Sequence, residues 1–126
     1  MEKSIKDKTQ VSAWGLLAVI NLYNCDPDLI REPAVIKQFI IELCQVINMT
    51  RFGDVLIERF GKDSLKGYSV MQFIETSSIT AHFDEADNRA FIDIFSCKSF
   101  EVKPAVDFCF NCFKAKNFKC EVIVRK

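Results

Sequence analysis

The sequence predicts an α+β fold, a two-layer α/β sandwich with an antiparallel sheet and two helices on one face, in the order β-α-β-β-β-β-α-β. Two stretches carry apolar residues at three- and four-residue spacing, Val35 to Ile47 and Ala105 to Phe113, which marks one wide helical face in each. Between them the apolar period falls towards two, the signature of strands. A run of strands bracketed by two helices favours helices packed on one face of an antiparallel sheet.

Each element follows from local chemistry. Residues 1–12 are polar and are expected to be a flexible N-terminal segment, with residues 13–126 forming a single domain. Trp14 to Tyr23 is apolar and reads as a buried strand, ended by the turn residues Asn24-Cys25-Asp26-Pro27. Glu32-Pro33 offers a helix start, because proline is tolerated in the first turn. After Arg51, Val55, Ile57 and Arg59 alternate with Leu56, Glu58 and Phe60 as a second strand. Gly61-Lys62-Asp63-Ser64 is a loop. Tyr68 to Ile74 and Ser77 to Phe83 are the third and fourth strands. The polar turn at 84–88 leads into a fifth, where Ala90, Ile92 and Ile94 face one way and Phe91, Asp93 and Phe95 the other. Pro104 is expected to open the second helix and Asn117 to end it, with Phe118 to Val124 as the last strand. The sheet face away from the helices is then polar or covered by a second subunit, and Phe73, Phe91 and Phe95 suggest the latter.

The 126 residues are 49% hydrophobic and include twelve phenylalanines, enough for a buried core. Lys and Arg balance Asp and Glu at 17 each, so charge gives no case for nucleic acid or an anionic membrane. The basic residues Lys3, Lys6 and Lys8 are interrupted by Asp7. No apolar run reaches the ~18 residues of a membrane span, and no secretory signal is evident. A cytoplasmic location is the expectation, with the six cysteines as reduced thiols.

Three features could carry chemistry. Cys109 and Cys112 form a C-x-x-C pair, but no second pair has ligand spacing. Three-residue spacing on an amphipathic helix is a buried stripe, so packing is the better reading and no metal site is expected. His82 is the lone histidine, and on composition alone it reads as a structural residue more readily than as a catalyst. Cys97 ends a strand beside Lys98, a more exposed and basic setting for a thiol.

The segment Glu75-Thr76-Ser77-Ser78-Ile79-Thr80-Ala81-His82 resembles the processing segment of the bacterial and archaeal S-adenosylmethionine decarboxylases. In that family a histidine follows the processing serine by five residues, and a cysteine in an Asp-x-Phe-x-Cys setting follows fifteen later. Ser77, His82 and Cys97 keep those intervals, within Asp93-Ile94-Phe95-Ser96-Cys97. Ser69 holds the place of a further serine eight residues upstream. Leu16-Leu17-Ala18 and Tyr23-Asn24-Cys25-Asp26-Pro27 resemble the family's first strand and turn.

The resemblance implies a proenzyme that cleaves itself between Thr76 and Ser77. Ser77 becomes a covalent pyruvoyl cofactor that forms a Schiff base with S-adenosylmethionine. Ser69 and His82 serve processing, and Cys97 donates the proton that replaces CO₂. Phe60 and Glu85 are the expected substrate contacts, and a homodimer with sites at the subunit interface is implied. The activity would supply aminopropyl groups for spermidine synthesis. The chain departs from the family in carrying Thr76 before the serine, Ala86 where a glutamate commonly lies, and Asn21 near an expected acidic position. Those departures keep two alternatives in view: pyruvoyl chemistry on arginine or ornithine, and an unprocessed regulatory homologue.

Overall fold

Alternation builds the sheet. The structure, a computed structural model, describes residues 13–126; the expected flexible segment 1–12, with Lys3, Lys6 and Lys8, lies outside the described residues. The elements are β1 (Gly15–Tyr23), α1 (Pro33–Val46), β2 (Arg51–Phe60), β3 (Gly67–Ile74), β4 (Ser77–Asp84), β5 (Arg89–Ser96), α2 (Val102–Cys112) and β6 (Asn117–Arg125), with a 3₁₀ turn at Asp63–Leu65. The six strands form one antiparallel sheet in the order β2-β3-β4-β5-β1-β6. Both helices pack against one face. Leu16, Ala18, Ile20 and Leu22 of β1, Ile79 and Ala81 of β4, and Ala90, Ile92 and Ile94 of β5 meet Ile36, Phe39, Ile40 and Leu43 of α1 there. Phe113 ties the layers together, with its ring 4.7 Å from that of Phe39 and 5.1 Å from that of Phe83.

The second helix starts earlier than the sequence suggests. It begins at Val102, and Pro104 sits inside its first turn, where backbone N–H groups need no helical partner. It also stops earlier: Lys114 takes a positive φ of 51° just past the end, and Asn117 opens β6. Strand β2 carries a register shift between Phe52 and Leu56, with Gly53 at φ 77°. The shift leaves Ile57 and Arg59 directed to the helix side, and Leu56, Glu58 and Phe60 on the open face.

That open face is not polar. Phe52 pairs with Phe73 and Leu56 with Met71, all exposed, and Trp14 stacks on Phe95 at 6.0 Å. Among the described residues no helix is long and apolar enough to cross a membrane.

Two glycines, Gly61 and Gly67, leave no room for a side chain. A Cβ at Gly67 would overlap the carbonyl oxygen of Phe83, where β3 and β4 approach closely. Gly67→Ala is expected to destabilise the domain by about 2 kcal/mol or more, since backbone rather than a flexible side chain must give way. Urea unfolding with a midpoint unchanged from wild type would contradict this.

Candidate active site

The β3–β4 connection is a two-residue turn. Ile74 pairs with Ser77, leaving Glu75 and Thr76 between them. The turn is pinned on both sides: the Glu75 N–H donates to the Thr50 carbonyl at 2.9 Å, and the Cys97 N–H donates to the Thr76 carbonyl at 3.0 Å. The Thr76 side chain is held as well. Its hydroxyl donates to Met49 Sδ at 3.2 Å and accepts from Ser96 Oγ at 2.8 Å. Ser77 opens β4 directly across from Ser96 of β5. It shares its parity with Ile79 and Ala81 and is half-buried at the mouth of the strand. Cys97 follows immediately, exposed and in step with Phe91 and Phe95 on the open face. The structure therefore gathers Thr76, Ser77 and Cys97 at one end of the sheet.

Ser69 and His82 form a second group. They are direct cross-strand partners on β3 and β4, and the Ser69 hydroxyl meets His82 Nδ1 at 2.9 Å. His82 is exposed on the open face, and among the described residues its Nε2 has no partner. Phe60 ends β2 opposite Gly67 on that same face and is 60% exposed. Five residues of strand separate His82 from Ser77, about 16 Å at the usual rise, and the odd interval sets them on opposite faces. Within one protomer the two groups do not meet.

Glu85 belongs to neither group. It is 7% exposed, and Arg59 engages both carboxylate oxygens, Nε to Oε2 at 3.1 Å and Nη2 to Oε1 at 2.6 Å. Arg31 donates to the Glu85 carbonyl at 3.0 Å. In the lone protomer the expected substrate contact Glu85 clamps the β4–β5 turn to the end of β2 and to the approach to α1.

The remaining thiols are interior groups. Burial pushes Cys25, Cys44 and Cys112 up to about 11, and raises Cys109 further, with the neighbouring Cys112 adding to the effect. Such thiols stay protonated and pack as small apolar groups. Sequence reasoning missed Ser96 and Met49. Ser96 left a trace, a hydroxyl closing the inward row Ala90, Ile92, Ile94; Met49 left none.

Comparison with known proteins gives the class first. Over 103 residues the chain is 30% identical to the S-adenosylmethionine decarboxylase proenzyme of Pyrococcus furiosus, covering 81% of this chain and 71% of the relative. The proenzyme of the same name from Thermococcus kodakarensis is 29% identical over 110 residues, covering 86% and 73%. The crystal structure of the adenosylmethionine decarboxylase of Aquifex aeolicus shares the fold, with a TM-score of 0.78 at 20% identity over 91% of this chain and 92% of that one. The class is a decarboxylase.

The sequence profile of the S-adenosylmethionine decarboxylase family matches residues 17–126, and the chain belongs to that family.

Proposed function

We propose that the chain cuts itself between Thr76 and Ser77 and decarboxylates S-adenosylmethionine in the cytoplasm, providing the aminopropyl donor for spermidine synthesis. One observation carries this reading: the carbonyl before Ser77 already rests on a backbone donor, the Cys97 N–H at 3.0 Å. A donor aimed at an oxygen that gains negative charge is what acyl transfer needs. The Ser77 hydroxyl adds to the Thr76 carbonyl carbon, the C–N bond breaks, and the nitrogen keeps the proton that the hydroxyl gives up. An ester results. Loss of the Ser77 α-proton then breaks the Cβ–O bond, and Thr76 departs as a carboxylate. Hydrolysis of the dehydroalanine releases ammonia and leaves a pyruvoyl end on residue 77.

The fit to that group rests on the donor set itself: a half-buried serine, a held carbonyl and an exposed thiol meet at one strand mouth. The ketone supplies the electron sink that decarboxylation of an amino acid requires. Cys97 stands beside it to protonate the substrate carbon.

The base for the α-proton comes from a second copy. His82 and Ser69 sit about 16 Å along the strand from Ser77. A two-fold pair packed through the open faces turns one sheet end for end over the other. The partner's His82 is then carried to the end of the sheet where Ser77 opens β4, and the partner's Phe60 offers a ring for the adenine. The exposed Phe52, Leu56, Met71 and Phe73 on that face support such a homodimer.

Intact-mass analysis of the purified chain tests the cleavage: the expected products are residues 1–76 and a pyruvoyl-blocked 77–126, and an unbroken chain that carbonyl reagents fail to label rules it out. Cys97→Ala separates the steps. The backbone amide survives the substitution, so cleavage proceeds, while decarboxylation falls by about 10²-fold or more. Equal turnover by the cleaved variant would remove Cys97 from the reaction.

One observation favours a second reading of the substrate. Glu85 is engaged at both oxygens by Arg59 and the neighbouring position is Ala86, which leaves the exposed Asp87 as the carboxylate of this turn open to a ligand. Release of CO₂ from labelled S-adenosylmethionine, arginine and ornithine distinguishes the two.

A further inference from the structure

We infer that Ser96 is a positioning residue for self-cleavage: its buried hydroxyl locks Thr76 so that the scissile carbonyl stays on the Cys97 N–H. The inference rests on the self-processing reading above and assigns it a residue outside the serine, histidine and cysteine set.

Ser96 is 0% exposed. It closes an inward row in which every earlier member, Ala90, Ile92 and Ile94, is apolar. A buried hydroxyl in such a row is costly unless its hydrogen bonds are made. Here they are made. The Lys98 N–H donates to Ser96 Oγ at 3.0 Å, Ser96 Oγ donates to Thr76 Oγ1 at 2.8 Å, and Thr76 Oγ1 donates to Met49 Sδ at 3.2 Å. Ser96 Oγ also lies 3.7 Å from Met49 Sδ, so Ser96, Thr76 and Met49 form one small buried network.

Thr76 is thereby anchored at two points by one short segment. Ser96 holds its side chain, and the next residue, Cys97, holds its carbonyl at 3.0 Å. With both ends held, rotation about the Thr76 backbone would break one bond or the other. The carbonyl carbon keeps its presentation to the following Ser77 hydroxyl, which is the near-attack arrangement that an intramolecular acyl shift exploits. Removing the Ser96 hydroxyl leaves Thr76 Oγ1 held by Met49 Sδ alone and unpairs the Lys98 N–H, loosening the carbonyl at the point of attack. The affected step is formation of the ester, ahead of proton abstraction.

The test uses full-length chain from cell-free synthesis, followed by intact mass with and without hydroxylamine, which cleaves esters. Ser96→Ala is expected to convert about tenfold more slowly than wild type, with no acceleration by hydroxylamine, because little ester is present to trap. Ser96→Thr retains the hydroxyl and is expected to stay within about threefold of wild type. Thr76→Val, which removes the acceptor while keeping the shape, repeats the Ser96→Ala slowing and guards against a folding defect at position 96, which a thermal melt reports. Wild-type rates in Ser96→Ala or in Thr76→Val overturn the inference. So does prompt hydroxylamine cleavage of Ser96→Ala, which would place the block after the ester. Wild-type chain that never cleaves removes the underlying reading as well, a result distinct from cleavage that ignores Ser96.

Discussion

Ser77→Ala is expected to remain a single 126-residue polypeptide, with no detectable decarboxylation, under conditions in which the parent chain becomes two. In the proposed route the effect is all-or-none because the hydroxyl is both the attacking group and the group whose departure from Cβ turns Cα into the ketone carbon. The alanine chain has no Cβ oxygen to form an ester and none to eliminate. The fold should be unaffected: Ser77 is half-buried at a strand mouth and its side chain bridges nothing in the core. A melt close to wild type together with an intact chain is the expected pair of results. Cleavage of the alanine chain at the same junction would mean that an external protease does the cutting, and the pyruvoyl assignment would go with it.

The second large effect is a rescue. His82→Ala alone should process about 10²-fold or more slowly, the usual loss when a general base is removed. Ser77→Ala alone does not process. Co-expressed, the two variants form mixed dimers in which one composite site joins the serine of the His82→Ala chain to the histidine of the Ser77→Ala chain. In those dimers the His82→Ala chain is expected to be cut at near wild-type rate, while the alanine-77 chain stays whole. Mass analysis of the two differently tagged chains reads this directly. If co-expression changes nothing, the histidine acts within its own protomer, against the ~16 Å of strand that separates it from Ser77.

Most of the fold was legible because its signals were local. The opposite rows of β5, Ala90, Ile92 and Ile94 against Phe91, Asp93 and Phe95, declare a strand and name its buried side. Pro33 marks the start of α1. Pro104 misled by two residues because the first turn of a helix tolerates proline without requiring it there. Asn117 misled because the left-handed residue that ends α2 is Lys114, a type rarely chosen for that conformation. The β2 irregularity at Gly53 interrupts the alternation it would be read from.

At the site, spacing identified Ser77, His82 and Cys97 as one set, and the structure divides them. The information was present in the intervals: five residues along a strand is both a long distance and a change of face, whereas twenty-one residues returned through a hairpin bring Cys97 beside Thr76. Glu85 could not be read in this way. Its burial depends on Arg59 and Arg31, 26 and 54 residues away in the chain. Charge pairing at that separation leaves no periodic trace.

The strand order has a consequence for the cut molecule. Residues 1–76 contribute β1, β2 and β3, and residues 77–126 contribute β4, β5 and β6, yet β1 lies between β5 and β6 in the sheet. The two stretches are interleaved like the fingers of clasped hands, joined along three seams. If the chain is cut as proposed, the two pieces would separate only when the whole sheet melts, so the break would shed neither half.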